Sequence, residues 1–408
     1  MAQRPIHLQP VGAAFLATLA CALVTAPAQA QTYKQKVLHS FSGGADGGYP
    51  YAPVIRVDGK FYGTTLLGGQ SSCNAPNGCG TVYQMNEHGH ETVLYSFTGV
   101  TNGDGAYPAG PLMRDAQGNF YGTTEGGGTD CDGSGAGCGT VFKIDTAGKE
   151  TVLHAFTDSY GGQGPNSGVV RDSSGNLYGT NYSGGDENAG SIFKVDAGGN
   201  YTLLHSFTCA ANDGCYPNLT PMIMDKKGDI LGVTAYGGAA GGWGVIYKLE
   251  TSSNKLKILY SFSGGSDGGY PMGAVLQDKA GNLYGTTLNG GVGFGNNGEG
   301  VVYKLAKGVQ SVLYTVPAGG SGPYGAGLVM DAAGNLFGTT SFSGADQRGS
   351  VFKIDPSGNE TDLYSFSGGA DGDSPWAPVT LTSKGELYGT TVYGGAAGSG
   401  VFFKLTPK

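Results

Sequence analysis

Residues 327–366 read GLVMDAAGNLFGTTSFSGADQRGSVFKIDPSGNETDLYSF, and this stretch decides the fold. It holds two turns with one frame, D-x-x-G, at Asp331/Gly334 and Asp355/Gly358. In such a turn the Asp carboxylate accepts backbone N–H groups, and Gly takes the left-handed conformation that closes a bulged hairpin. Short apolar runs flank the turns at 327–330, 336–340, 350–354 and 361–366, and a glycine-rich loop separates the middle two. Four strands in so short a span leave no room for a helix, so the unit is a small antiparallel sheet.

Outward from this stretch the unit repeats. Tyr62-Gly63-Thr64-Thr65 recurs, identically or with one or two changes, at Tyr121, Tyr178, Leu231, Tyr284, Phe337 and Tyr388, which makes seven copies spaced 51 to 59 residues apart. That length suits a propeller blade and is too long for one coil of a β-solenoid. The D-x-x-G frame recurs at Asp115, Asp145, Asp172, Asp196, Asp225 and Asp278. The last strand type, Val37-Leu38-His39-Ser40-Phe41, starts again at Val93, Val152, Leu203, Ile258, Val312 and Asp362. Its first copy precedes every other strand, whereas copy seven stops after its third strand. The expectation is an all-β, seven-bladed β-propeller with four antiparallel strands per blade and one-plus-three closure, in which strand 36–41 completes the last blade and leaves no seam.

Composition agrees with a folded repeat protein. Glycine makes up 78 of 408 residues, far above the ordinary ~7%, but the period excludes low complexity and the lack of a three-residue rhythm excludes collagen. Residues 1–30 carry one Arg, an apolar run over 11–24 and Ala28-Gln29-Ala30, which reads as a signal peptide removed near Ala30. The mature chain, 31–408, is expected to be one domain, monomeric, without a transmembrane segment, and secreted or periplasmic. Six cysteines then remain in three local pairs, Cys73 with Cys79, Cys131 with Cys138 and Cys209 with Cys215, expected as disulfides that staple loops.

The succession Y-G-T-T, G-G, G-[TV]-[VI]-[FY]-K and V-L-[YH]-S-F resembles the GloVer tandem repeats of secreted bacterial proteins called choice-of-anchor, over 37–405. The resemblance implies an exported propeller-like protein, with no established reaction and no catalytic residue.

In a four-stranded meander the two short D-x-x-G turns lie at one end of the blade and the long connections at the other. Those long connections hold Asp46, Asp104, Asp158, Asp213, Asp267, Asp371, Asp373, Glu125, Asp130, Asp132, Asp186, Glu187, Glu299 and Asp346 against a single base, Arg348. An acidic face excludes nucleic acid, whose phosphates need Lys and Arg, and disfavours acidic polysaccharides. Cations suit it better. Asp46, Asp104, Asp213, Asp267, the pair Asp130/Asp132 and the pair Asp371/Asp373 are therefore the metal-ligating candidates, with calcium the ion they suit. Tyr49, Tyr107, Tyr216, Tyr270 and Trp376 flank the prolines of D-G-x-x-P segments, and with Trp243 and Arg348 they are the ligand-binding candidates, the rings serving as platforms for sugars. His39, His154 and His205 share their slot with Tyr95, Tyr260, Tyr314 and Tyr364, which marks a structural position. No nucleophile elbow, histidine cluster or phosphate loop occurs, so catalytic residues are expected to be none. The reading taken forward is a binding propeller for an extracellular glycan or surface partner, with calcium as an aid. The alternatives are a glycosidase-type enzyme using two of Glu125, Asp186, Glu187 and Glu299, and a structural protein-interaction propeller.

Overall fold

The computed structural model describes residues 33–408 apart from 70–71, 132, 134, 158–161, 218–220, 240, 292–298, 318–321 and 323–326. The expected leader and Asp132 and Asp158 lie outside the described residues. Seven four-stranded antiparallel sheets follow one another as meanders. The first consists of Ile55–Val57, Lys60–Thr65, Thr81–Met85 and Glu91–Ser96, the sixth of Val329–Met330, Leu336–Thr340, Ser350–Ile354 and Glu360–Ser365. The last takes Thr380–Leu381, Leu387–Thr391 and Val401–Pro407 from the C-terminal end and Tyr33–Ser40 from the N-terminal end. The closing strand runs from Tyr33 opposite Pro407 to Ser40 opposite Val401, so it starts three residues earlier than 36–41 and stops one sooner. Val401–Pro407 offers ladder partners beyond the apolar alternation that marks the strand in the sequence. At the other end Phe41 leaves the ladder for the core, its N–H held by the Gly400 carbonyl at 3.0 Å.

The motif glycine has a packing cause. Gly63 pairs with Tyr83 on the next strand, and a Cβ at Gly63 would lie 2.6 Å from the Tyr83 hydroxyl. Each of the other six copies repeats this, down to 2.3 Å between a Cβ on Gly179 and the Phe193 ring. The glycine makes room for the buried aromatic of G-[TV]-[VI]-[FY]-K.

Among the described residues the buried apolar side chains form seven clusters, and each lies between two adjacent blades. An open row of seven blades would have six such boundaries. The seventh, with Phe41, Val54, Phe61, Tyr83, Tyr388 and Phe402, joins the last blade to the first and closes the ring. Every fourth strand carries a bulge against its third strand, as between Val37 and His39. Such a bulge re-aims the following side chain. All three disulfides form, with Cα–Cα distances of 5.6, 5.9 and 4.8 Å. The one helical element among the described residues is a 3-10 turn, Val100–Asn102, and no described helix is long and apolar enough to cross a membrane.

Candidate functional site

Because strands alternate in direction, the connections from fourth to first strand and from second to third strand emerge at the same end of every blade. Two extra ladders tie them together, Gly105–Ala106 with Gly126–Gly127 and Gly214–Cys215 with Tyr236–Gly237. This shared end is the loop face.

The aspartates of the fourth-to-first loops are held by their own loops. Asp104 accepts from the Tyr95 hydroxyl at 2.9 Å and the Thr98 N–H at 2.7 Å, Asp267 from Tyr260 and Ser263 at 2.9 Å each, and Asp371 from Tyr364 and Ser367 at 2.9 Å each. His39 and His205 take the tyrosine's place against Asp46 at 3.3 Å and Asp213 at 3.1 Å. This is the slot shared by histidine and tyrosine. His154 instead stacks on Tyr201 at 4.5 Å, and burial pulls its pKa down. Asp130 accepts from the Gly133 N–H at 3.0 Å. Asp373, two residues beyond Asp371, pairs with the Arg348 guanidinium at 3.0 Å, so these two carboxylates have different partners. One group among the described residues has three side chains close enough to hold a metal: His39, Asp46 and Glu91, with ligand atoms within 4.8 Å. Burial first, and then the Asp46 charge, push the Glu91 carboxyl up to about 8. A protonated carboxyl is a poor metal ligand at neutral pH.

The tyrosines before the prolines are conformationally unusual. Tyr49, Tyr107, Tyr216 and Tyr270 have φ of +59°, +62°, +55° and +54°, in the slot where the third blade has Gly164 at +62°. Each backbone N–H reaches the neighbouring blade, Tyr216 to Ala189 at 2.7 Å and Tyr270 to Trp243 at 2.8 Å. A left-handed backbone costs a Cβ-bearing residue roughly 1–2 kcal/mol. Gly164 in the third blade and Ser374, at +58° in the last, hold the same slot without a ring, so the turn itself does not require tyrosine.

Those contacts form a row. Tyr182 lies 5.4 Å from Tyr216, Tyr216 5.9 Å from Tyr236, Tyr236 4.9 Å from Tyr270, and Tyr270 4.8 Å from Trp243. Five rings thus cross the third, fourth and fifth blades without a gap. Tyr182 and Tyr236 are 40% and 44% exposed, whereas the other three are half-buried supports. A smaller group sits at the first and last blades, where Tyr49 meets Tyr393 at 5.8 Å and Tyr51 meets Trp376 at 4.8 Å. Trp376 aligns with Tyr51, after the proline, and stands at the ring axis. The space beside it there is about 30 Å³, room for one water but no sugar. Tyr107 packs over Gly126, where a Cβ would lie 2.9 Å from the ring.

At the Tyr182 end the row opens into a cleft of about 360 Å³ between the second and third blades. Glu125, Gln163, Asn166, Tyr182 and Ser183 line it, above the Cys131–Cys138 loop. Burial pushes the Glu125 carboxyl up, against a hydrogen bond from Asn166 that pulls it down.

The repeat model Gloeobacter/Verrucomicrobia repeat matches residues 23–136, 128–316 and 292–408. The chain belongs to this repeat family. Among curated proteins none matches it. Several solved structures align with the chain at low identity. An oligogalacturonate lyase from Vibrio parahaemolyticus aligns with TM-score 0.55 and 12% identity over 92% of this chain and 94% of that one. An extracellular domain from B. thetaiotaomicron aligns with TM-score 0.54 and 10% identity over 91% and 40%. TolB from Acinetobacter baumannii gives 0.40 and 12% over 68% of this chain, which spans 58% of the TolB chain. For the lyase and the extracellular domain, whose TM-scores exceed 0.5, the likeness concerns the fold alone.

For this Gloeobacter/Verrucomicrobia repeat protein, three of the ligand-binding candidates, Tyr216, Tyr270 and Trp243, come together in one row. Tyr49 and Trp376 belong to the other aromatic group, and Arg348 is ion-paired. Sequence reasoning missed Tyr182, Tyr236, Gln163 and Asn166. The available signal was the two positions after Y-G-T-T, Leu66 and Leu67 in the first copy, where Tyr182 takes the first of them in the third copy and Tyr236 the second in the fourth.

Proposed function

We propose that the protein is an exported, non-catalytic binding propeller that recognises a neutral glycan on its loop face. The observation that carries this reading is the unbroken aromatic row from Tyr182 to Trp243, with two of its rings exposed. Sugar rings stack on such platforms through their C–H faces, and a row of rings suits a chain of sugars. The acidic loops favour neutral over anionic polysaccharides. Three disulfides suit an oxidising compartment, in keeping with a removable leader at 1–30 and a monomeric domain over 31–408. The loop aspartates already have donors, so we infer binding that survives removal of calcium.

A glycan array run with and without EDTA tests this. Neutral oligosaccharides bound equally in both arms, and lost in Tyr236→Ala, are the expected result; silence on every glycan sinks the reading. One observation favours the second reading, a glycosidase-type enzyme: burial raises the Glu125 pKa, as a general acid requires. It needs a partner carboxylate at roughly 5–9.5 Å, and release of shorter sugars from a bound glycan would establish it.

A further inference from the structure

We propose that the cleft between the second and third blades is a subsite for one hexopyranose, in which Glu125, Gln163, Asn166 and Ser183 read the hydroxyls and Tyr182 stacks on the ring. This rests on glycan recognition by the aromatic row and adds where a chain residue is individually read.

Three features of the cleft fit a pyranose. Its volume of about 360 Å³ exceeds what a single sugar ring fills and stays within the lower range of small-molecule sites. Its lining combines one exposed aromatic face with carboxyl, amide and hydroxyl groups, the donor and acceptor mixture that adjacent sugar hydroxyls need. The polar groups are also placed by backbone. Gln163 and Ser183 pair through their main chains, Gln163 N–H to Ser183 carbonyl at 2.9 Å and Ser183 N–H to Gln163 carbonyl at 3.3 Å. The Glu125 N–H is held by the Tyr107 carbonyl at 3.0 Å, and the Glu125 carboxyl by Asn166. A site built on locked backbone keeps its geometry without ligand. Tyr182 belongs to both cleft and row, so a sugar seated here is continuous with the next one stacked towards Tyr216.

The charge of the lining also bears on the class of ligand. Among the described residues it holds no Lys, Arg or His, so it offers no cationic partner to a uronate, whereas a carboxyl and amides suit sugar hydroxyls.

The test uses the full mature chain and free methyl glycosides of glucose, galactose and mannose, observed by saturation-transfer NMR at millimolar concentration. Neutral hexasaccharides are measured in parallel by calorimetry. The wild type is expected to show transfer from at least one monosaccharide, and Ser183→Trp, which fills the cleft from the surface, to abolish it. Glu125→Ala is expected to weaken it at least tenfold with an unchanged melting temperature. Tyr236→Ala is expected to keep the monosaccharide signal while weakening hexasaccharide binding. If hexasaccharides bind and Tyr236→Ala weakens them, but Ser183→Trp changes nothing, the subsite is refuted and the row reading stands. If the wild type binds neither probe, both are refuted. A variant that loses its melting transition is replaced by Gln163→Ala, judged by the same signals.

Discussion

Gln310 donates its side-chain amide to the backbone carbonyl of Asp267 across a blade boundary at 3.0 Å, and Gln35 does the same to Asp371 at 3.0 Å. The equivalent outer-strand position, set by pairing with Leu305, Leu405, Met85 and Ile144, holds Glu91 in the first blade and Glu150 in the second. A carboxyl can replace that amide donor only while it keeps its proton. Burial first, and then Asp46 and Asp104, push the two carboxyls up to about 8 and about 7.

The folded pKa values lie above the ordinary value near 4.5, so this stability is present in acid and fades as pH rises through about 7 to 8. The melting temperature is expected to fall between pH 5 and 8.5. Glu91→Gln with Glu150→Gln should flatten that dependence and raise the melting temperature at pH 8.5 by about 1–3 °C. Scanning calorimetry decides it, and a wild-type protein that gains stability over this range contradicts the account.

Gly179→Ala should destabilise the protein strongly, because the added methyl would sit 2.3 Å from the Phe193 ring in a fully buried interface. Overpacking of this kind costs about 1–3 kcal/mol or more. Urea unfolding should show a lower midpoint than for Gly103→Ala on the loop face, where nothing lies within 4 Å of the added carbon, although the positive φ of +68° there makes that change mildly unfavourable too.

Phe41→Ala probes ring closure. Phe41 is fully buried in the cluster that joins the last blade to the first, so its loss should cost about 3–5 kcal/mol. In an open array the same residue would lie at a free end and cost far less. Chemical denaturation with coincident near- and far-ultraviolet transitions gives the number.

The architecture was readable from the sequence because one packing event, glycine beneath an aromatic, recurs seven times and leaves Y-G-T-T or a near variant in each copy. Closure was readable too, since the offset of Val37–Phe41 admits no other partner for the last sheet. The site was only partly readable. Tyr216 and Tyr270 stand beside recurring turns and Trp243 breaks its repeat position, so they could be singled out, whereas Tyr182 and Tyr236 fall where the copies vary and carry no motif. The cleft joins Glu125, 163–166 and 182–183, three segments that no spacing rule connects. Residue type alone likewise cannot separate a carboxylate facing solvent from one held by its own loop, as Asp104, Asp267 and Asp371 are.

Tyr216→Gly separates recognition from packing. Glycine relieves the left-handed backbone at +55°, worth roughly 1 kcal/mol, which offsets lost ring contacts. The melting temperature should stay within about 2 °C of wild type, while binding of a neutral hexasaccharide weakens at least tenfold by calorimetry. A large fall in stability with unchanged binding would assign the ring to packing.

The protein has two tryptophans, Trp243 in the row and Trp376 at the axis. In Trp376→Phe all remaining tryptophan emission reports on the row. Titration of that variant with cellohexaose, xylohexaose and maltohexaose should give a saturable emission change with at least one, and Tyr236→Ala should weaken it tenfold or more. Flat emission with all three sugars, or an equal response after Tyr236→Ala, would contradict recognition by the aromatic row.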